Sequence, residues 1–70
     1  MHPAEQHYRQ TMDDIHRSLE QLYATDLERQ QWLNTPNAML DGRTPDDFIH
    51  GHQADTVLAV LDMILSSAGS

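Results

Sequence analysis

The stretch from Trp32 to Pro45 constrains the fold of this chain more than any other part of the sequence. It contains the only Trp, two of the three Pro and one of the three Gly. Proline lacks a backbone N–H and restricts the residue before it, so a regular helix cannot run through this stretch. Apolar residues recur with helical spacing on both sides. The sequence therefore predicts one all-α domain over residues 1–70, with four to five helices around a tryptophan-centred bend.

A heptad pattern marks the first helix, which we predict over residues 4–24. Five apolar residues follow one another at spacings of 4, 3, 4 and 3 positions: Tyr8, Met12, Ile15, Leu19 and Leu22. This seam can pack on the chain's own last helix or on a second copy of the chain. Seventy residues enclose only a small core. We therefore expect both contacts, and hence a homodimer.

Capping and turn residues predict how the chain continues after the first helix. Thr25 and Glu28 form a Thr-x-x-Glu capping box, which starts a second helix. That helix must stop before Pro36, because the residue preceding a proline is pushed out of the helical region. Asn37 is suited to cap a short turn. Asp41 and Gly42 then signal a change of direction in which Gly takes a positive φ.

The remaining elements of the helical module, predicted over residues 26–65, are two more helices. Thr44 as N-cap and Pro45 at the first position start the third helix, which Gly51 should end. The last helix is predicted over residues 52–66, and residues 66–70 should form a flexible tail. Its apolar stripe consists of Ala54, Val57, Leu58, Leu61, Ile64 and Leu65.

Trp32 allows two interpretations. Trp anchors many protein interfaces, so this residue is a candidate binding hot spot. It is equally suited to fill the core beside the bend, where Leu33, Leu40 and Phe48 need a large neighbour. We favour the core position.

The charge of the chain indicates what kind of partner it binds. Eleven acidic residues face four basic ones, all Arg, for a formal net charge of −7. Nucleic-acid affinity depends on Lys and Arg at phosphates, so we expect no direct DNA or RNA contact. Asp13 and Asp14 on the outer side of the first helix would attract a basic protein surface, and Arg43 would meet an acidic group. Solvated charges are the alternative interpretation.

Other classes of function find no support in the sequence. There is no phosphate-cradling Gly loop, no nucleophile with an evident base and no His-Glu-x-x-His, so we expect no enzyme and no cofactor. No apolar run reaches the roughly 20 residues that cross a bilayer, and no secretory signal begins the chain. The absence of Cys fits a reducing compartment, and we expect a cytoplasmic protein without membrane contact.

The five His suggest a metal site but do not specify one. They are His2, His7, His16, His50 and His52. The last two lie on either side of Gly51, one turn away from Asp46 and Asp47. A zinc site needs three or four convergent ligands, and the missing ones would have to come from a distant part of the chain or from another chain. We therefore favour surface histidines and no metal site.

The sequence around the bend resembles a known family. The residues that carry the resemblance are Trp32-Leu33-Asn34-Thr35-Pro36-Asn37, then Leu40, Gly42, Thr44-Pro45, and finally Val57-Leu58 with Leu61. They are similar to the C-terminal toxin-binding domain of the Xre/MbcA/ParS-type bacterial antitoxins, over about Glu28 to Leu65. The resemblance implies a small, often dimeric helical domain that binds and blocks a RES-type toxin, an enzyme that consumes NAD. It also implies that the C-terminal part, Ile64, Leu65, Ser66 and onward, approaches the toxin's active site.

One departure from the family pattern leaves a second function open. Such antitoxins usually carry an N-terminal helix-turn-helix for DNA, whereas this chain has the heptad helix and contains no Lys. Our first prediction is an antitoxin-like inhibitor that binds a protein partner, a RES-type toxin. The alternative is a phage or mobile-element anti-activator, which binds a host DNA-binding transcription regulator through the acidic first helix and prevents its DNA binding.

Overall fold

Four helices and one short 3-10 turn make up the computed structural model, which describes residues 3–68. The helices are α1 (Pro3–Leu22), α2 (Asp26–Leu33), α3 (Pro45–His50) and α4 (Ala54–Ala68), and the 3-10 turn is Ala38–Leu40. The structure is 77% helical, and the described part of the chain contains no strand. The predicted all-α fold is therefore confirmed. None of these helices is both long enough and apolar enough to cross a membrane.

Helices α2 and α3 begin at their predicted caps. The Thr25 hydroxyl accepts the backbone N–H of Glu28 at 3.2 Å and donates to the Glu28 carboxylate at 3.0 Å. The Thr44 hydroxyl accepts the N–H of Asp47 at 3.1 Å, with Pro45 in the first turn of α3. Each cap satisfies an amide that has no partner within its own helix, so these sequence signals determine the starts of α2 and α3.

The corner between α1 and α2 comes earlier than predicted, because an arginine binds it. Helix α1 ends at Leu22 instead of residue 24. The Arg29 guanidinium donates to the carbonyl oxygens of Tyr23 at 3.1 Å and Ala24 at 3.4 Å, and to the Asp26 carboxylate at 2.6 Å. These bonds satisfy carbonyls that a further helical turn would have used. One side chain thus closes the corner.

The last helix also has different ends from those predicted. It begins at Ala54 because His52, and not Gly51, adopts the left-handed conformation, with φ of 63°. The His52 N–H donates to the Ile49 carbonyl and the Gln53 N–H to the Phe48 carbonyl, which is the Schellman pattern of a helix C-terminus. The predicted tail begins too early, because residues 66–68 are part of α4. No Gly or Pro interrupts the chain between Ala54 and Ala68. Residues 69–70 lie outside the described residues.

The core forms where α1 packs against α4, with α3 closing one side. Its buried apolar members are Ile15 and Leu19 from α1, Ile49 from α3, and Ala54, Val57 and Leu61 from α4. The centre of the heptad seam is therefore covered within the chain. At its edges Met12 and Leu22 are half-buried, and Tyr8 is 43% exposed. Trp32 is also half-buried and packs against this core cluster.

Shortening a core side chain of α4 should strongly destabilise the domain. Leu61 is fully buried, so Leu61→Ala removes its contacts and leaves a cavity, at a cost of about 2–5 kcal/mol. A chain of this size has roughly 4–10 kcal/mol of total stability. We expect urea unfolding, followed by circular dichroism, to shift to a much lower midpoint. Leu27→Ala is the matched control, because Leu27 is 69% exposed on α2 and its loss should cost under about 0.5 kcal/mol. Equal shifts for the two variants would contradict the described core.

Candidate protein-binding surface

An open apolar cleft lies at the C-terminal end of α4. It is lined by Met39, Met63, Ile64 and Ser67 and encloses about 440 Å³; we call it the methionine cleft. Met39 is 49% exposed and Met63 56% exposed. The cleft thus holds two large exposed apolar side chains from different elements, with Ile64 between the core and the cleft.

The cleft exists because the apolar stripe of α4 is longer than the part of it that the domain covers. Ala54, Val57 and Leu61 are buried at helical spacing. Ile64 continues the same stripe one turn later but is only half-buried. Met63 is adjacent to it on the more exposed flank. The end of α4 therefore presents apolar surface that the chain itself does not fill.

The 3-10 turn supplies the opposite wall and is held by a short network of hydrogen bonds. The Asn37 side chain accepts the N–H of Met39 at 2.9 Å. The Asn37 carbonyl accepts the N–H groups of Leu40 at 2.9 Å and Gly42 at 3.0 Å, while its own N–H donates to the Arg43 carbonyl at 2.9 Å. Leu40 is buried, so its neighbour Met39 is directed outward. A wall held in this way loses little conformational freedom when a partner binds.

Asp41 and Gly42 close this turn with two successive positive φ angles, 58° and 77°. The predicted positive φ at Gly42 is therefore observed, and Asp41 shares the left-handed conformation, which Asp tolerates better than most residues. Arg43 follows directly and is exposed. Its side chain makes no ion pair with another described residue, so this turn carries both Met39 and an unpaired cation.

Only one of the three predicted C-terminal contact residues lines the cleft. Ile64 does, whereas Leu65 is half-buried and Ser66 exposed on other sides of α4. Met39 and Met63 were not predicted as contact residues from the sequence. A signal for Met39 was present in the sequence, since two adjacent residues of a short turn, Met39 and Leu40, cannot both face the core.

The predicted acidic surface on α1 has mixed charge. Asp13 is exposed and Asp14 half-buried, and both line a shallow groove together with Arg9 and Arg17. None of these four side chains makes an ion pair with another described residue. The groove therefore offers alternating signs of charge along the helix, and its acidity is locally offset by the two arginines.

A cluster of polar side chains joins the N-terminal half of α1 to the first turn of α4. The His7 ring nitrogen Nε2 lies 3.0 Å from both carboxylate oxygens of Asp55, and the Thr11 hydroxyl lies 3.1 Å from one of them. The hydrogen bond from His7, followed by the one from Thr11, lowers the pKa of Asp55 below its ordinary value. We call these three residues the Asp55 cluster. It fixes the beginning of α4 relative to α1.

The other histidines that the structure describes, His16, His50 and His52, do not form a metal site with described acidic residues. The His50 ring nitrogen Nδ1 lies 2.9 Å from the Asp46 carbonyl oxygen and 3.3 Å from its carboxylate. The carbonyl contact, with the carboxylate as the second cause, raises the pKa of His50. Among the side chains that the structure describes, no three His, Asp or Glu come close enough to hold one ion. His2 lies outside the described residues.

Comparison with known proteins identifies the helical module. A family model described as the antitoxin Xre/MbcA/ParS C-terminal toxin-binding domain matches residues 18–66, well over half of the chain. Searches of curated proteins and of solved structures return no match. The matched range begins within α1 and ends within α4. It includes Met39, Met63 and Ile64, and it excludes His7 and Thr11.

Removing the charge of Asp55 should destabilise the domain in a pH-dependent manner. The folded-state pKa of Asp55 is lowered, so its stabilising contribution is present above the ordinary pKa of about 3.9 and disappears as the pH falls through the lowered value. We expect Asp55→Asn to lower the melting temperature at pH 7, and the difference from wild type to shrink below about pH 3.9. Thermal unfolding followed by circular dichroism at several pH values measures both.

Asp62→Asn is the matched control for this experiment. Asp62 is exposed on the same helix and has no described hydrogen bond or ion pair. The substitution removes the same formal charge as Asp55→Asn but breaks no described contact. Its effect on the melting temperature should therefore be small at every pH. If both variants behaved alike, the stabilisation would come from net charge and not from the Asp55 cluster.

Proposed function

The chain belongs to the Xre/MbcA/ParS C-terminal toxin-binding family, and from this premise we propose that it blocks a RES-type toxin by docking on it through the methionine cleft. Membership of the family makes it an antitoxin-like domain whose partner is a protein. The identity of the toxin and the position of the contact are the further steps of the proposal. The inhibition acts by binding, without catalysis by this chain, in the cytoplasm.

The observation that carries the proposal is the exposed apolar surface at the end of α4. Met39 and Met63 lie within the range that matches the toxin-binding family and leave about half of their side chains in water. Covering such surface supplies roughly 25 cal/mol per Å² of apolar area. Methionine adapts its shape to an irregular partner, which suits a docking surface. Of the three contact residues predicted on α4, Ile64 belongs to this docking surface, whereas Leu65 and Ser66 lie on other sides of the helix.

Polar contacts at the edge of the cleft would give the complex its orientation. Arg43 is on the turn that carries Met39, is exposed and has no described ion-pair partner. A carboxylate on the toxin would pair with it at low desolvation cost, since a rim charge stays partly in water. In this arrangement the end of α4 lies against the toxin's active-site opening and keeps NAD out.

A homodimer is part of the same proposal. Tyr8 is 43% exposed, and Met12 and Leu22 are half-buried at the edges of the core that α1 forms with α4. A second copy would cover the remaining exposed part of this seam. The surface that it uses, on α1, is separate from the methionine cleft, so one dimer could carry two toxin-binding sites.

The second candidate function uses a different surface. The net charge of −7 favours an anti-activator that binds a basic, DNA-binding transcription regulator through Asp13 and Asp14. Arg9 and Arg17 beside them weaken this attraction. The two candidates differ in salt dependence, because contacts between exposed charges weaken with ionic strength whereas apolar docking does not.

A charge placed in the methionine cleft should abolish toxin binding. Met63→Asp puts a carboxylate into the apolar contact, and we expect affinity for a co-expressed RES-type toxin to fall by at least about 30-fold. Binding is measured by calorimetry, and neutralisation by growth of cells that express the toxin. Leu27→Asp is the control, because it puts the same charge on an exposed residue of α2 outside the cleft. Unchanged neutralisation by Met63→Asp would overturn the docking site, and loss with Asp13→Asn/Asp14→Asn instead would move the toxin contact to the groove on α1.

Sedimentation should detect the dimer. We expect a species of about twice 8.0 kDa at micromolar concentration. Tyr8→Asp should shift it toward monomer while the helical signal is retained, because Tyr8 is at the exposed end of the seam. Gln10→Asp, on the outer polar side of α1, should leave the dimer intact. A wild-type chain that sediments only as monomer would rule out the homodimer.

A further inference from the structure

The methionine cleft brings together the two methionines of the described chain that are exposed. The sequence has four Met and no Cys, so thioethers are its only sulfur groups. Met12 is half-buried against the core cluster, and Met1 lies outside the described residues. Met39 and Met63 come from different elements, the 3-10 turn and α4, yet line the same cleft with about half of each side chain in water.

We propose that this pair is an oxidation site through which peroxide switches off partner binding. The loss of binding rests on the proposed function, whereas the selective oxidation of Met39 and Met63 does not. The thioether sulfur attacks one oxygen of hydrogen peroxide, the O–O bond breaks and an S–O bond forms. The sulfur is oxidised by two electrons to the sulfoxide, and the second peroxide oxygen takes up the protons and leaves as water.

Exposure determines which sulfur reacts. A peroxide molecule reaches Met39 and Met63 directly from solvent, whereas Met12 is partly enclosed by the packing of α1 on the core. The reactive form is the free chain, because a partner seated in the cleft would cover both sulfur atoms. Binding and oxidation therefore exclude each other, and a bound partner should protect the pair.

The product is unsuited to an apolar contact. Each sulfoxide carries a strongly polar S–O group in place of a thioether, and burying it without a hydrogen bond is costly. Of the other residues that line the cleft, Ile64 has no side-chain donor and Ser67 has a single hydroxyl, so the lining cannot satisfy two sulfoxides. Two of the three apolar side chains thus become polar together, while the core residues of α4 stay unchanged. We therefore expect binding to be lost and folding to be kept.

Peptide mass spectrometry after peroxide treatment tests the oxidation site. The full chain is treated with hydrogen peroxide, and sulfoxide formation is followed at each methionine. We expect Met39 and Met63 to react about tenfold faster than Met12, which serves as the internal reference. Similar rates at the three positions, or fastest reaction at Met12, would overturn the assignment. Circular dichroism of the treated chain checks that the helices persist.

A binding experiment tests the consequence. The chain is oxidised, freed of peroxide and then titrated with a RES-type toxin. Oxidised wild type should lose at least about tenfold in affinity relative to untreated wild type, whereas the affinity of Met39→Leu/Met63→Leu, whatever its starting value, should be the same before and after the treatment. Unchanged affinity of the oxidised wild type would overturn the switch and leave the proposed function standing. If the untreated chain bound no RES-type toxin, the proposed function would fail, and the relative oxidation rates alone would decide the site.

Discussion

The packing of α1 on α4 is the contact on which the rest of this structure depends. Ile15 and Leu19 meet Val57 and Leu61 in a core with no disulfide and no described metal site to support it. A chain of this size has little other buried surface. Every other element is placed relative to this pair. Helix α3 closes one side, Trp32 fills the edge, and the 3-10 turn reaches the end of α4, where the methionine cleft opens.

Much of this arrangement could be predicted from the sequence, because it follows from local rules. Thr25 and Thr44 cap helices at the expected positions, and the helical spacing of apolar residues identified the core faces of α1 and α4. Such signals act over three or four residues. They do not depend on how the helices are arranged in space. Caps and core faces can therefore be predicted from a single sequence.

The features that escaped prediction depend on residues distant in sequence or on competition between neighbours. His7 and Asp55 are 48 positions apart, so their contact exists only once α1 and α4 have packed. Arg29 ends α1 by binding carbonyls that precede its own helix, and no capping rule describes this. Gly51 ends α3 as predicted, but the left-handed residue that follows it, His52, had no signal in the sequence. The pairing of Met39 with Met63 likewise requires the tertiary fold.

The contacts that hold the fold and the proposed docking surface lie on different turns of α4. Its first turns are fastened to α1 by Asp55 and by the buried Val57 and Leu61, whereas its last turns carry the exposed Met63. The family match covers Met39, Met63 and Ile64 of the cleft but begins only at residue 18, after His7 and Thr11. His7 and Thr11, in the N-terminal half of α1 and outside the matched range, therefore bind Asp55 at the beginning of α4. The cleft lies at the other end of α4. In the proposed mode of docking, stability and recognition therefore lie on opposite ends of one helix, so that substitutions in the cleft would change the choice of partner without removing the contacts that keep the chain folded.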